Sequence, residues 1–580
     1  MAPGALQQRQ MISSPSIKPP QLSFTFNTND NRATALFGDA AGCITHQVTQ
    51  TDSPVLVIKT HAEIRTDNYL LNTNFDDLDR IRDTMHPRDV EKAVNKYLLF
   101  VENAVKGLVA GKFTDAQRPT VLNKLLNLLC LTSSFLELNN LLRNRFRDCG
   151  GTDLLIENCV SEDPRLQYSS AMLLVECLDP GNLDYVVNHG LIKIMHVVHA
   201  YQKKRTANQS KVSTGLLAKL FEHSESTCMR VIQLHGLDVL LAECKSRDIV
   251  TLRNCARALA NLSMYGGTDV HDQMVRHHAH TWLFTLAFNQ DNSVKYYALL
   301  ATAVLAADRT IEAAMANCDT LDLIDPFVTT HVPADLVEIG ALVGPVLGQG
   351  RRWLQCLVPV LSCDRREAYT LAAFHFCAEA VSSSELRHGD IAGTFRTIGA
   401  VEPLMKLAGS IDDVTSGLAA QALRSIGERV PRPLSQKVPL WKVEDVVQWT
   451  KSIGFGEWAG LVNDKINFAD GDWLLMVTEE CLKERFGIPN GIMRKRFMRE
   501  LHKLKQLADY SCIDSTNLKS FLQSIGSEFS VYTYNILSAG FDSESIRFIT
   551  DDQLAYKCGI ANGIHRNVIL NSIKCRMKYE

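Results

Sequence analysis

One short phrase occurs twice near the end of the chain, at a spacing of 72 residues. GIPNGIMRKRF begins at Gly487 and GIANGIHRNVI begins at Gly559. Further pairs keep the same spacing: Val446 with Leu518, Trp449 with Phe521, Gly454 with Gly526, Thr478 with Thr550, Leu482 with Leu554, and Arg494 with Arg566. A register held over this length predicts two copies of one small helical domain, at about 438–507 and 510–578.

The repeated phrase also predicts how the last helix of each copy begins. Gly491 and Gly563 stand where the chain turns into that helix, and we expect them to adopt a positive φ, which other residues resist. The side-chain oxygens of Asn490 and Asn562 are expected to cap the helix. The phrase lacks the G-x-x-x-x-G-K-[ST] pattern of a phosphate loop.

A second, longer period precedes these copies. Apolar residues with helical spacing dominate, as in LRNCARALANLSMYGG, whose helix should end at Gly266. Four turn phrases each precede an apolar helix: CGGTDLL (149–155), HGLIKIM (189–195), HGLDVLL (235–241) and IGAVEPLM (398–405). The first three lie about 40 residues apart, which is typical of an armadillo or HEAT solenoid. We place this solenoid at 85–430.

Two segments lie outside the predicted domains. Residues 1–84 are rich in Gln, Ser, Thr, Asn and Pro, so we expect a mostly flexible leader. Residues 431–437 lie in a proline-rich stretch that no helix can cross, and we expect a linker there. The predicted fold class is all-α.

Composition excludes several classes of function. Lys and Arg number 61 against 64 Asp and Glu, so no overall positive charge favours nucleic acid as a partner. The 16 cysteines form no C-x-x-C pair, which is typical of buried thiols in a reducing compartment and predicts a cytoplasmic protein. No apolar run approaches the ~20 residues of a transmembrane helix.

Charge is separated within the first copy. Bases begin its last helix, and acids lie in its middle: Asp464, Asp470, Asp472, Glu479 and Glu480. Opposite charges on two sides of a small domain permit head-to-tail contact, which closes as a ring or continues as a filament. A solvated helical face is the alternative. The predicted oligomer interface comprises Arg494, Lys495, Arg496, Arg499, Asp470, Asp472, Asp551 and Asp552.

The phrases of both copies carry a family resemblance. WKVEDVVQWTKSIGF, FADGDWLLMVTEECLKERFGI and NGIMRKRF resemble a sterile alpha motif (SAM) domain, and the repeat resembles a second. A tandem SAM pair behind an armadillo solenoid is similar to the sterile alpha and TIR motif-containing (SARM) family. AKLFEHSESTC (218–228), ALANLSMYGG (258–267) and AFHFCAEA (373–380) support this resemblance. It implies an armadillo/HEAT-like solenoid followed by two tandem SAM domains.

The resemblance also implies a function. In the family, SAM domains build a ring, the armadillo lobe senses nicotinamide nucleotides and restrains a TIR domain, and that TIR domain hydrolyses NAD in axon degeneration and innate immune signalling. The sequence given ends at Glu580, directly after the second SAM domain. We therefore expect no enzyme activity and no catalytic residue in the chain as given, with the TIR domain supplied in cis or in trans. The family further implies association with mitochondria or axons.

The armadillo lobe contains two weaker candidate binding residues. Asn261 in ALANLS matches the position where armadillo proteins often hold an extended peptide, although it fits equally a bridge between neighbouring helices. Where family members carry a histidine and a lysine for the nucleotide, this chain has Lys219 and Glu222. A carboxylate at Glu222 would repel a phosphate. An allosteric NAD or NMN therefore depends on Lys219 alone.

Other functions stay open as alternatives. The chain is expected to be either the regulatory and oligomerising scaffold of a NAD-hydrolysing TIR protein, or a TIR-less decoy, or a peptide-binding adaptor clustered by its SAM domains. RNA binding would need more cations and exposed aromatic rings than one basic helix supplies. The histidines near His271 lack carboxylate or thiol partners at metal-ligand spacing, so we expect no metal.

Overall fold

The computed structural model describes residues 87–579 with short gaps. The gaps are 134–135, 180, 205, 312–313, 315–319, 335–350, 387–389, 460–468 and 486, and before residue 87 the structure describes 48–49, 57–58, 69–73 and 75. Most of the predicted leader, and Asp464 of the predicted acidic set, lie outside the described residues. The chain divides into two compact units, Met1–Asp67 and Asn68–Glu580.

The first unit contributes one described pair of strands. Val48–Thr49 (β1) and Val57–Ile58 (β2) are antiparallel, with Val48 opposite Ile58. Everything described after it is helix or irregular chain.

The second unit begins with a long solenoid of α-helices. Its helices are α1 (Pro87–Val109), α2 (Gln117–Leu131), α3 (Leu136–Asp148), α4 (Gly151–Asn158), α5 (Pro164–Cys177), α6 (Leu183–Lys204), α7 (Ala207–Leu220), α8 (Glu225–Gln233), α9 (Gly236–Glu243), α10 (Ile249–Tyr265), α11 (Gly267–Arg276), α12 (Ala279–Ala287), α13 (Asn292–Ala307), α14 (Ile324–Thr330), α15 (Arg351–Leu357), α16 (Arg366–Leu386), α17 (Ile391–Ile398), α18 (Val401–Ala408) and α19 (Asp413–Ser425). Single turns of 3₁₀-helix cover Arg309–Ile311, Leu321–Leu323 and Val360–Ser362. Two short helices followed by a long one recur, as the predicted armadillo type requires.

The long helices α2, α5, α7, α10, α13, α16 and α19 pack against one another in chain order. An aspartate at the start of one long helix pairs with a cation on the previous one. Asp291 caps α13 and binds Arg253 on α10 at 2.5 Å, and Asp412 caps α19 and binds Arg366 on α16 at 2.6 Å. Each ion pair thus fixes the register between neighbouring repeats while it satisfies a helix N-terminus.

The predicted turns are confirmed at three phrases and wrong at the fourth. α4 begins at Gly151, α9 begins at Gly236, and α18 follows Gly399, whose φ is 77°. Gly190, in contrast, lies inside the continuous helix α6. A Cβ there would lie 2.9 Å from the Ile156 side chain, so this glycine permits close helix packing.

Two small helical domains follow, each built around one apolar cluster; the first cluster also includes Ile411 at the end of the solenoid and Tyr534 of the second domain. The first contains α20 (Val443–Ser452), α21 (Gly471–Leu475), α22 (Glu479–Glu484) and α23 (Gly491–Leu507), after a 3₁₀ turn at Val438–Leu440. The second contains α24 (Leu518–Ile525), α25 (Thr533–Ser538) and α26 (Gly563–Tyr579), with 3₁₀ turns at Ser527–Tyr532 and Ser545–Phe548 and a π turn at Gln553–Lys557. None of the described helices has the length and apolar character that crossing a membrane requires.

The last helix of each copy begins as the repeated phrase predicts, with one correction. Asn490 accepts a hydrogen bond from the Ile492 amide at 2.8 Å, and Asn562 does the same for Ile564 at 3.0 Å. The positive φ was assigned to the wrong glycine, because among the described residues it occurs four positions earlier in each phrase. Gly487 has φ 63° and Gly559 has φ 65°.

The segment before the first copy is part of that copy's core. Leu434 is 2% exposed and belongs to the same apolar cluster as Trp449 of α20 and Ile411 at the end of the solenoid. The solenoid and the first small domain therefore share packed side chains across the predicted linker.

Candidate functional site

The first arginine of the repeated phrase is bound inside its own domain. Arg494 Nη1 donates to the carbonyls of Ile488 at 2.9 Å and Pro489 at 2.8 Å, and its guanidinium lies 3.5 Å from Glu479. These contacts hold the chain that leads into α23. The sequence predicted that Arg494 belongs to the oligomer interface.

The second copy reproduces this arrangement 72 positions later. Arg566 Nη1 donates to the carbonyls of Ile560 at 2.9 Å and Ala561 at 3.1 Å, and its Nε lies 2.9 Å from Asp551. Asp551 was predicted to face a neighbouring chain, and within its own chain it pairs with Arg566. Arg494, Glu479 and their counterparts are thus a structural anchor of each copy.

The middle of the first copy contacts the second copy of the same chain. Asp472 accepts a hydrogen bond from the Tyr534 hydroxyl at 2.7 Å. Burial, together with this bond, raises the pKa of Tyr534 above its ordinary value. Lys505 Nζ lies 3.4 Å from Asn535 Oδ1, and burial lowers the pKa of Lys505 to about 8. These contacts fix the two copies against each other.

The acids predicted for the interface therefore divide into bound and free groups. Asp470 caps α21 by accepting from the Trp473 amide at 2.9 Å, and Asp472 is used between the copies. Asp552, in the second copy, is exposed, and no hydrogen bond or ion pair engages its side chain in the described part of the chain. Among the four predicted aspartates, the side chain with no such contact in the described part of the chain thus lies on the second copy.

Three of the four predicted bases remain on the surface. Lys495, Arg496 and Arg499 are exposed along α23. The Arg496 guanidinium lies over the ring of Phe455, 5.9 Å from its centroid. Farther along the helix, Lys503 donates to Asp364 of the solenoid at 3.0 Å.

Apolar side chains lie beside these charges, and the sequence reasoning missed them. Ile492 at the start of α23 is 79% exposed, and its counterpart Ile564 is 74% exposed. In the middle of the second copy, Phe548 is 72% and Tyr556 86% exposed. The signal was present in the repeated phrase, which has an apolar residue at the second position of a helix in both copies. We call Ile492, Lys495 and Arg496 the basic end, and Phe548, Asp552 and Tyr556 the acidic middle.

The solenoid holds a second charged cluster. Glu222 Oε2 lies 3.7 Å from Lys219 Nζ on α7 and 3.4 Å from Arg257 Nη2 on α10. The side chains of Glu222 and Arg257 are only 11% and 9% exposed. Burial, and after it the nearby Arg257, lowers the pKa of Lys219.

Helix α15 lies beside this cluster. Its Trp353 is 1% exposed and packs against Tyr265 of α10, with ring centroids 6.3 Å apart. The Arg352 guanidinium lies 5.3 Å from the Tyr265 ring centroid. The aromatic rings of α10 and α15 thus enclose this side of the solenoid.

Asn261 is placed in the interior of the solenoid. It is 0% exposed, and its Nδ2 donates to the Ala218 carbonyl on α7 at 2.8 Å. Of the two roles that the sequence left open, this geometry fits the bridge between neighbouring helices.

Comparison with known proteins gives the family to which the chain is similar. A model described as "SAM domain (Sterile alpha motif)" matches residues 439–505, and a second such model matches 513–576. The chain is 42% identical over 520 residues to the NAD(+) hydrolase sarm1 of Drosophila melanogaster. The match covers 87% of this chain and 37% of that protein. The chain is thus similar to the SARM family over most of its own length.

Two further SARM relatives cover most of the chain. The NAD(+) hydrolase tir-1 of Caenorhabditis elegans is 34% identical over 486 residues, covering 82% of this chain and 48% of its own length. The NAD(+) hydrolase SARM1 of Danio rerio is 36% identical over 435 residues, covering 74% and 60%. The chain thus spans 37% to 60% of the length of these three relatives.

Solved structures show weaker likeness. A designed armadillo repeat protein in complex with the peptide (KR)4 matches 47% of this chain at 16% identity, with a TM-score of 0.27. An engineered protein matches 81% at 17% identity, with a TM-score of 0.36. The armadillo-like assignment therefore rests on the helices and their order.

A nucleotide phosphate at the solenoid cluster would lie beside the carboxylate of Glu222. A phosphate needs cations that can approach it, and Glu222 already lies within ion-pair distance of both Lys219 and Arg257. A second anion would also lie against a carboxylate in a poorly solvated place. The Glu222 carboxylate therefore opposes a phosphate at this cluster.

Proposed function

We propose that this chain is the regulatory and oligomerising scaffold of a NAD-hydrolysing TIR protein. The observation that carries the proposal is the division of surfaces in the SAM pair. The basic end lies on the first SAM domain and the acidic middle on the second, while the Asp472–Tyr534 contact joins the two domains within one chain. Two unlike faces on one rigid pair support head-to-tail association.

The proposed contact joins the basic end of one chain to the acidic middle of the next. Ile492 and Phe548 supply apolar area, while Lys495 and Asp552 supply opposite charges. Charges at such a rim direct which faces meet, and the apolar side chains contribute affinity. A head-to-tail contact closes as a ring if the rotation from one chain to the next returns to its start without net rise, and it otherwise continues as a filament; a closed ring is the product in this proposal.

In this proposal the ring concentrates a TIR domain, in cis or in trans. Linking domains in this way raises their effective concentration by about a hundredfold or more without new contacts. The solenoid would restrain that TIR domain. The Lys503–Asp364 pair and the shared core around Leu434 hold the solenoid to the SAM pair. NAD hydrolysis would then be carried out by the TIR domain. The protein would act in axon degeneration or innate immunity, in the cytoplasm, with mitochondrial or axonal association.

The proposal is tested with two variants that each damage one face. K495E/R496E removes the basic end, and Phe548→Asp damages the acidic middle. Each variant alone is expected to run as a 64.7 kDa monomer in light scattering after chromatography. A mixture of the two is expected to give a dimer and nothing larger, because each partner keeps one intact face.

R165E/K406E is the matched control, since both cations are exposed on the solenoid and lie outside the SAM pair. It should assemble as the unchanged chain does. Unchanged mass in K495E/R496E, or failure of the mixture to form dimers, would contradict the head-to-tail arrangement.

A TIR-less decoy uses the same faces and differs only in what it joins. Co-purification with a longer relative, lost in K495E/R496E, would favour the decoy. The adaptor function has less support, since Asn261 is buried and engaged with Ala218.

A further inference from the structure

An open groove lies on the second SAM domain between α24 and α26. Its volume is about 740 Å³, and all of its lining side chains are uncharged. Phe521 and Ile525 supply apolar surface, while Asn517, Ser520 and Asn571 supply hydroxyl and amide groups. The groove is separate from the acidic middle.

The α24 side of this groove has a counterpart in the first SAM domain, and there it is covered. Asp445 and Gln448 of α20 are the counterparts, 72 positions earlier, of Asn517 and Ser520. Asp445 Oδ1 lies 3.0 Å from Arg432 Nη2, and Gln448 Nε2 donates to the Arg432 carbonyl at 2.7 Å. The segment before the first SAM domain thus crosses its α20.

This covering segment has a defined character. Residues 430–434, with the sequence VPRPL, form neither helix nor strand. Pro431 and Pro433 fix their own φ and keep the preceding residues extended. Leu434 then enters the core beside Trp449, which is only 6% exposed. The segment is therefore an extended Pro-x-Pro ligand supplied by the chain itself.

The chain that leads into the second SAM domain contacts α24 at Lys519, whose Nζ donates to the Ala508 carbonyl at 2.6 Å, and it leaves Ser520 and Asn571 of the groove exposed. The position 72 residues after Leu434 is Gln506, which lies within helix α23. That helix belongs to the first SAM domain and does not run over α24. Phe521, the counterpart of the buried Trp449, is only half-buried, and Ser520 is exposed.

We propose that the groove between α24 and α26 binds an extended Pro-x-Pro-apolar segment of a partner protein. The segment would run over α24 as VPRPL runs over α20. Phe521 and Ile525 would contact the proline rings and the apolar residue, and Ser520 would bond the main chain where Gln448 does so in the first domain. Aromatic grooves suit such segments because the extended proline helix is already ordered before binding.

The groove also determines the charge expected for the residue between the two prolines of the partner segment. In the first domain that residue is Arg432, held by the carboxylate of Asp445. The counterpart is Asn517, which carries no charge. The partner segment is therefore expected to carry an uncharged polar residue here. This inference does not depend on ring formation.

The probe is a fluorescent peptide that copies residues 429–436 with glutamine in place of Arg432. Its anisotropy is measured against the full chain. We expect saturable binding below about 1 mM peptide, and no binding when both prolines of the peptide are replaced by alanine. The unaltered peptide, with arginine, should bind about two- to fivefold more weakly, since its charge has no carboxylate partner.

One groove variant and one control variant keep the result interpretable. S520R/N571R fills the groove from two exposed positions, so folding should persist and binding should be lost. Gln448→Ala, on the covered face of the first domain, is the matched control and should bind the peptide normally. Absence of saturable binding, or equal binding by S520R/N571R, would overturn the proposal. Loss of self-association in S520R/N571R without peptide binding would also overturn it and assign the groove to a contact between copies.

Discussion

Lys503 of the last helix in the first SAM domain donates to Asp364 of the solenoid at 3.0 Å, and Arg309 donates to the same carboxylate at 2.8 Å. The bond from Lys503, and to a lesser degree the charges of Arg309 and Arg499, lower the pKa of Asp364. A lowered carboxyl pKa means that the pair persists at neutral pH and is lost only as the pH falls through that folded value.

We therefore predict that Asp364→Asn loosens the docking of the solenoid on the first SAM domain between pH 5 and 8. The pair is exposed, so the free energy of unfolding should change by less than about 1 kcal/mol. Faster hydrogen exchange in α23 and near Asp364, with unchanged exchange in α26, is the expected result. Asp115→Asn, an exposed carboxylate on the far part of the solenoid, is the control. Equal exchange in both variants would contradict the docking role.

The internal anchor predicts that Arg494 stabilises its domain more than it directs assembly. Arg494→Ala removes two bonds to carbonyls and an ion pair, so we expect a loss of about 2–3 kcal/mol in the free energy of unfolding of the first SAM domain. Arg496→Ala, on an exposed neighbour, should cost under about 0.5 kcal/mol. Pulse proteolysis in urea, read by mass spectrometry of residues 487–507, measures both. Similar losses in the two variants would argue against the anchor.

Burial of Lys505 predicts an unusual pH dependence. Its pKa is lowered from 10.5 to about 8, so between these values the amine is neutral when folded and charged when unfolded. The unfolded state then binds more protons, and this residue's contribution to the free energy of unfolding rises with pH. From pH 8 to 10 the unaltered chain should gain up to about 2 kcal/mol relative to Lys505→Met.

The measurement compares urea midpoints of the first SAM domain at the two pH values. Lys495→Met, at an exposed position, serves as the control and should show the pH dependence of the unaltered chain. A pH dependence that is the same with and without Lys505 would show that its amine is solvated in the folded protein.

The solenoid cluster predicts a gain of function on removing one carboxylate. Glu222→Gln leaves Lys219 and Arg257 without their shared anion, so a phosphate-bearing nucleotide such as NMN or NAD should bind, whereas the unaltered chain should not bind it there. Calorimetric titration measures this, with the exposed Glu225→Gln as control. Equal binding by the unaltered chain and Glu222→Gln would mean that Glu222 does not block these cations.

The architecture was largely predictable because it depends on local patterns. Helical spacing of apolar residues and the 72-residue register need no knowledge of distant partners, and both were confirmed. The prediction of a turn at Gly190 was wrong because the role of this glycine depends on Ile156, which lies on another helix. A glycine in a turn and a glycine at a close helix crossing look alike in sequence.

The candidate site was predictable only in part, for a related reason. The exposure of Lys495, Arg496 and Arg499 follows from their places on one helix. That Arg494 would bind two carbonyls, or that Asp472 would meet Tyr534, depends on the tertiary fold. The sequence shows which side chains are charged, whereas the tertiary fold determines whether other groups of the same chain bind them.

The burial of Leu434 has a mechanical consequence for the whole chain. A proline-rich connection is ordinarily a semi-rigid spacer, and this one is also packed between the end of the solenoid and the first SAM domain, with Ile411 in the same cluster. Together with the Lys503–Asp364 pair, this packing should couple the orientation of the SAM pair to that of the last solenoid helices.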